Sequence, residues 1–294
     1  MRVIIAGGSG TVGKALSKSL LSKRYDVVIL SRSSSTQVEK GAGVSQWNPA
    51  KGQIDMDLRP DAIINLAGTS IATKWTDENK RRIISSRVDS TKTLVQLANQ
   101  SEACGVFVNA SATGIYKGGL DLVDESGEAD DTFGAEIVKQ WEAACDGLRS
   151  DCVLHKARIG IVLNLDGGYI PTVLPLYKRG LGAPISPKPG WISWIHIDDV
   201  VGALVFMLNR VESNTWNLVA PNPVMTKTMS ESMAATLNKA HWAPSPPAFM
   251  LKLMYGPFAG EMLKSYRIHA GELLKAGYQF SYPDLEPALE DLLK

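Results

Sequence analysis

Cysteine is scarce in this chain. Cys104, Cys145 and Cys152 are the whole supply, odd in number and without a C-x-x-C pair. That excludes a disulfide framework and favours a reducing compartment in which the three are small core thiols. Histidine is nearly as rare. His155, His196, His241 and His269 form no H-E-x-x-H or similar pair, so a metal site is not expected. Excess charge of one sign is missing too. With 31 basic against 30 acidic residues the net charge is +1, and nothing draws the chain as a whole to nucleic acid or an anionic membrane. No apolar stretch approaches the length of a bilayer span. No charged stub with an apolar run precedes the first strand, which begins at Arg2. Repeats and low-complexity tracts are absent as well. These absences leave a soluble, cytoplasmic protein with a small-molecule partner as the expectation.

Glycine, by contrast, is concentrated at the start, in "MRVIIAGGSGTVGKAL". Arg2–Ala6 is a short apolar run suited to a buried parallel strand. Gly7, Gly8, Gly10 and Gly13 follow within seven positions. In Thr11–Lys23, Val12, Leu16 and Leu20 recur every fourth residue, one face of a helix. Further strands are expected at Val27–Leu30, Val44–Trp47, Asp61–Leu66, Gly105–Ser111 and Asp151–Leu163. A long helix from Asp77 to Asn99 carries the stripe Ile84, Val88, Thr91, Val95 and Ala98, and another helix lies near Ala135–Cys145. Strands alternating with helices define an α/β fold, a Rossmann-type doubly wound parallel sheet. After Leu163 the alternation fades. "WISWIHIDDVVGALVFML" reads as a strand and then a helix capped by Asp198 or Asp199. From Thr226 the pattern is mostly helical. The expected division is 1–165 for a nucleotide-binding domain, completed by about 191–225, with 166–190 and 226–294 as a smaller, mostly helical C-terminal substrate lobe.

Between a first strand and a first helix, the glycines gain meaning. Gly8, Gly10 and Gly13 fit G-x-G-x-x-G, and Gly7, Gly10 and Gly13 fit the related G-x-x-G-x-x-G. An early glycine permits the tight turn, Gly10 lets the backbone approach a pyrophosphate, and Gly13 lets helix and strand pack closely. The helix N-terminus then offers free N–H groups and partial positive charge to the anion. The second strand ends "VVILSRSSS". An NAD site would place a carboxylate there for the ribose 2′-hydroxyl. Ser31 and Arg32 stand in its place, and a guanidinium pairs with a 2′-phosphate where a carboxylate would repel it. NADP(H) is the expected cofactor. "NLAG", Asn65–Gly68, leaves small residues at the end of another strand, in the same crevice.

With these loops in place, the sequence resembles the extended short-chain dehydrogenase/reductase superfamily, and within it the atypical "epimerase family" branch of YfcH-like proteins related to nucleotide-sugar epimerases. The resemblance runs nearly end to end, through "GGSGTVG", "LSR", "NLAG", "SATGIY", "KQWEAA", "RIGIVL", "WISWIHIDD" and "LLKAGYQFSYPDLEPAL". It implies NADP(H) at the carboxyl edge of the sheet and substrate between that domain and the C-terminal lobe. It implies Thr11 and Val12 on the pyrophosphate and Ser31 and Arg32 on the 2′-phosphate. Leu66, Ala67 and Gly68 would line the adenosine side, Arg82 and Arg87 of the long helix would reach the cofactor, and Ile161 would lie near the nicotinamide. Relatives of this fold often pair, which extends to this chain the expectation of a homodimer.

One family element is absent. Short-chain dehydrogenases use a Tyr with a Lys four residues on, and none of the eight tyrosines here has that lysine. Where the pair belongs, Phe133 or Gly134 and Ile137 or Val138 stand instead. Thr113 and Tyr116, just past the fifth strand, are the substitutes the sequence offers, Thr113 to polarise a carbonyl and Tyr116 to donate a proton. Both equally fit a role in shaping the pocket. The functional expectation is an NADP(H)-dependent oxidoreductase or nucleotide-sugar-epimerase-like enzyme acting on a small carbonyl, alcohol or sugar-nucleotide-like substrate. The alternative is a non-catalytic NADP(H)-binding or redox-sensing protein.

Overall fold

The computed structural model describes residues 1–33, 36–186 and 188–294. Its centre is one seven-stranded sheet. The strands are β1 (Arg2–Ala6), β2 (Asp26–Ser31), β3 (Gly43–Gln46), β4 (Ala62–Asn65), β5 (Val106–Ala112), β7 (Val153–Ile159) and β11 (Asn214–Leu218). Their spatial order is β11-β7-β5-β4-β1-β2-β3, and every pair is parallel. The order reverses direction between β1 and β4, the switch point where an open α/β sheet leaves a crevice outside its strand ends.

The apolar runs are continuous because both faces of the sheet are covered. Val3 and Ile5 point to one face, where Leu16 and Leu20 of α1 (Thr11–Ser22) pack with Val200 and Leu204 of α5 (Ile197–Met207). Ile4, Ile63 and Phe107 point to the other, under Leu94, Leu97 and Ala98 of α2 (Asp77–Gln100). The expected stripe on α2 holds from Thr91 onward, where Thr91, Val95 and Ala98 are buried, and fails only in the first turns. Ile83, Ser90, Leu94 and Leu97 are buried, whereas Ile84 and Val88 are only half-buried. Two small polar residues, Ser90 and Thr91, occupy the buried face by bonding back to carbonyls one turn earlier, and the expected stripe left out Ser90.

Two further expectations are corrected. The run 151–163 is not one strand. Gly160 turns its N–H to Leu218 O at 3.0 Å, and Ile161 turns to Ser193 O at 3.0 Å. The chain leaves the central sheet there, and β8 (Ile161–Leu163) pairs instead with β10 (Trp194–His196). The cap of α5 is neither aspartate. His196 caps it, its Nδ1 accepting from the Asp198 N–H at 3.2 Å. Asp199 is fully buried and accepts from the N–H groups of Ser281 (2.7 Å) and Tyr282 (2.9 Å), tying the C-terminal segment to the helix.

The remaining elements are mostly helical: α4 (Tyr169–Lys178), α6 (Thr226–Thr236), α7 (Ala248–Tyr255), α8 (Phe258–Met262), α9 (Gly271–Lys275) and α10 (Leu285–Leu293). Ile170, Tyr177, Met229, Met233, Leu285 and Leu289 form a core of their own around Trp194. Two short ladders stitch this part to the rest, β9 (Trp191–Ile192) with β12 (Val224–Met225) and β6 (Leu122–Val123) with β13 (Arg267–Ile268). Among the described residues no helix is long and apolar enough to cross a membrane.

Candidate functional site

Gly7 sits at φ +81°, a backbone region that L side chains rarely adopt. A Cβ there would lie 2.6 Å from the Leu66 carbonyl, so the loops after β1 and β4 touch through backbone alone. Gly13 faces inward: a Cβ on it would overlap the Gly7 carbonyl oxygen. It therefore packs helix onto loop, as its place in the motif suggests. Gly10 caps α1 without a side-chain bond, and the first turn holds no acidic residue. The positive end of this helix is left to face whatever binds above it.

The loop after β4 is shaped by a buried polar triad. Asn65 Nδ2 donates to Thr91 Oγ1 (2.9 Å) and to Asn109 Oδ1 (2.8 Å), while Asn65 Oδ1 accepts from the Ala67 N–H at 3.1 Å. Thr91 in turn bonds to Arg87 O at 2.8 Å. Three neighbouring elements thus hold one turn, which explains why an asparagine ends this strand.

These loops enclose a cleft of about 590 Å³. Gly7, Gly10, Ser31, Arg32, Leu66, Ala67, Gly68 and Arg82 all line it. A second hollow of about 460 Å³ continues past Arg32 and Trp47, walled by Gln46, Asn48, Gln53 and Ile54. Ser31 is buried, and its hydroxyl is shared with Thr36 Oγ1 and accepts from the Ser33 N–H at 3.1 Å. Arg32 beside it is exposed at the mouth. The last two serines of the "SRSSS" run lie outside the described residues. Trp47, Asn48, Ser86 and Asp89 also face the cleft, and sequence reasoning did not find them. They come from β3's exit and from α2, whose relation to β2 only the tertiary fold sets.

Thr11, Val12, Gly13, Arg87 and Ile161 are not part of that wall. Arg87 lies just behind it. Its guanidinium sits against Gly68, donates to Ile83 O at 3.0 Å and stacks on Trp141 at 5.0 Å. Burial pushes its pKa down to about 10, and no carboxylate among the described residues pairs with it. Ile161, on β8, is 39% exposed.

The two residues expected to do chemistry separate. Thr113, at the end of β5, is nearly buried, its Oγ1 3.5 Å from Ile159 O. Tyr116 is 1% exposed. Its hydroxyl donates to Asn217 Oδ1 at 2.7 Å and accepts from Arg158 Nη1 at 2.8 Å. Arg158 forms a two-pronged pair with Glu142 (2.9 and 3.0 Å), and Glu142 also accepts from Ser111 at 2.5 Å. Burial opposes both charges of the pair, yet each outweighs it for the other. The Glu142 pKa is held low and the Arg158 pKa high. Burial raises the Tyr116 pKa. Both bonds of the Tyr116 hydroxyl are thus made within a core network.

The position vacated by the family's Tyr is also visible. Phe133, at the start of α3 (Phe133–Ala143), stacks edge-on with Trp75 at 4.8 Å, and Ile137 is buried beside Ile83. Gly134 abuts Glu261 of α8, where a Cβ would lie 2.9 Å from the carboxylate.

A seven-stranded parallel sheet with a bare glycine turn between β1 and α1, and a cleft at its carboxyl edge, defines a nucleotide-binding protein of the Rossmann class. Residues 3–134 match the NAD dependent epimerase/dehydratase family, and residues 246–292 match a domain of unknown function, DUF1731. An epimerase family protein of Staphylococcus aureus is 32% identical over 302 residues, covering 99% of this chain and 98% of the relative. YfhF of Bacillus subtilis, also an epimerase family protein, is 30% identical, with 100% and 98% covered. The crystal structure of human epimerase family protein SDR39U1 with NADPH superposes with a TM-score of 0.89 at 27% identity, covering 99% of both chains. A UDP-galactose 4-epimerase, at 17% identity and a TM-score of 0.77, shares the fold. The chain belongs to the epimerase family of proteins.

Proposed function

We propose that this protein binds NADP(H) in the glycine-lined cleft and is an oxidoreductase or epimerase-like enzyme for a small carbonyl, alcohol or sugar-nucleotide-like substrate. The observation that carries the reading is the end of β2, where Arg32 and Ser31 face the cleft. A 2′-phosphate would find a cation there, and it would find the continuing hollow beyond Arg32. The bound NADPH of the human relative supports the same choice. The fit to the dinucleotide rests on Gly7, whose missing side chain keeps the ledge open, and on the uncapped, acid-free start of α1.

On this reading Gly7, Gly10, Thr11 and Val12 hold the pyrophosphate, and Gly13 lets α1 pack close against their loop. Leu66, Ala67 and Gly68 flank the adenosine side, and Arg82 and Arg87 reach the cofactor from α2. Ile161 borders the nicotinamide, and Thr113 polarises a substrate carbonyl. Bound coenzyme supplies hydride transfer. The cofactor part of the chain is 1–165 with about 191–225, and 166–190 with 226–294 forms the substrate lobe. A second reading, cofactor binding without turnover, is favoured by the lost Tyr/Lys pair and by the engagement of Tyr116 in the core.

The test is coenzyme binding by fluorescence. Arg32→Ala should weaken NADPH about 10- to 100-fold, the worth of a charge-assisted bond, and leave NADH unchanged. An unaltered NADPH/NADH preference removes the 2′-phosphate assignment. Consumption of NADPH across a carbonyl panel separates the enzyme from the sensor.

A further inference from the structure

Two segments distant in sequence, 130–134 and 261–266, meet next to the Thr113–Ile115 turn. The loop between β6 and α3 supplies Asp130, whose N–H bonds to Ile115 O at 2.8 Å, and Thr132, the N-cap of α3. Helix α3 itself packs on the Thr113–Ile115 turn. The region matched by DUF1731 supplies Glu261, Lys264 and Tyr266. Lys264 Nζ donates to Glu261 Oε1 (2.8 Å), Asp130 Oδ2 (3.0 Å) and Thr132 Oγ1 (2.8 Å). The Tyr266 hydroxyl donates to the other oxygen, Glu261 Oε2, at 3.2 Å. Gly134 leaves room for the carboxylate, since any side chain would press on it. The segment is anchored on both sides, by Ser265 Oγ to Gly119 O (2.6 Å) and by Tyr266 N–H to Trp191 O (3.0 Å).

We infer that Tyr266 and Glu261 are the proton-handling pair of the reaction proposed above, with Lys264 as a positioning residue that fixes the carboxylate. The inference rests on that reading. In the oxidative direction a substrate alcohol gives its O–H proton to Tyr266 Oη while the phenol's own proton crosses to Glu261 Oε2. The alcohol carbon releases a hydride with the C–H electron pair to an oxidised nicotinamide, and the pair left on oxygen closes the C=O bond. Glu261, now neutral, returns the proton to solvent. Tyr266 carries no net charge through the cycle, which suits a phenol whose ionisation is opposed by burial and by Glu261 and Asp130 nearby.

One test needs no turnover. The full chain, carrying 3-fluorotyrosine at position 266, is titrated by fluorine NMR. Saturating NADP+, whose ring is cationic, should lower the phenol's midpoint by at least about 0.5 pH units, and NADPH, whose ring is neutral, should not. Glu261→Gln should lower it as well. A midpoint unmoved by NADP+ in protein that binds it overturns the inference and leaves the cofactor reading standing. Protein that binds neither coenzyme overturns both. The kinetic test uses NADPH and the dicarbonyl probe 9,10-phenanthrenequinone. Tyr266→Phe should lower kcat about 100-fold or more, the usual scale for a lost general acid, with KM and NADPH affinity held. Glu261→Gln should lower kcat and abolish the acid limb of the pH profile. A Tyr266→Phe kcat within about threefold of wild type, well short of that scale, overturns the inference alone. Wild type that binds NADPH but reduces no probe overturns the enzyme reading and the inference together.

Discussion

At the scale of single residues, two tyrosines carry the lesson. In the sequence Tyr116 looks available, because it follows a strand end in a motif of small polar residues. In the fold it is spent on Asn217 and Arg158. Tyr116→Phe strands a buried acceptor and a buried donor, so a loss of about 1–3 kcal/mol of stability is expected. NADPH affinity should hold within about twofold, since no cofactor contact is lost. A lower melting temperature with intact binding checks this, whereas lost turnover at unchanged stability would return the tyrosine to chemistry. Tyr266 is the opposite case. Its hydroxyl meets the carboxylate of Glu261 five residues earlier, and what the tertiary fold adds is the packing of that carboxylate against Gly134 of α3.

Among the elements, the turn from β1 to α1 was legible in full. A short apolar run, four glycines and a repeat of apolar residues every fourth position leave few alternatives. Gly13→Ala drives a Cβ into the Gly7 carbonyl oxygen. Overpacking of that kind costs about 1–3 kcal/mol, and the shift must widen the loop that faces the cleft. Calorimetry should show a lowered melting temperature, and fluorescence a weakened NADPH complex. Helix α2 was legible in extent, and in rotation from Thr91 onward, but Ile84 and Val88 of the expected stripe are only half-buried. Its buried face includes Ser90 and Thr91, whose hydroxyls bond to the helix backbone, so burial there does not follow hydropathy. The strand 151–163 was misjudged for a related reason. Its apolar letters run on past Gly160, but the partner changes from β11 to β10.

For the whole molecule, stability should fall on the acid side of neutrality. His155 is buried with its Nδ1 accepting from Trp216 Nε1 at 3.1 Å, and burial lowers its pKa to about 4. Below about pH 6.5 the unfolded chain takes up a proton that the folded one refuses, so stability is lost as pH falls towards 4. The full effect is on the order of 3 kcal/mol. Glu142, held below the usual carboxylate range, adds stability that is present above its unfolded pKa and disappears as pH drops through its folded one. Thermal melts from about pH 7.5 to about pH 2 should therefore decline in two stages, the second below the ordinary carboxylate range. Replacing His155 with Gln should flatten the first stage and leave the second.

The sequence by itself determined the alternation of strands and helices, the bare turn for an anion and the cationic end of β2. Each of these is a local property, set by backbone freedom, apolar period or the charge of one side chain. Only the tertiary structure decided which polar groups are consumed and which remain free. Asn217 reaches Tyr116 across 101 positions, and Lys264 reaches Asp130 across 134. Hydrogen bonds of that span depend on how strands and helices remote in sequence pack together, a relation that no window of neighbouring residues contains.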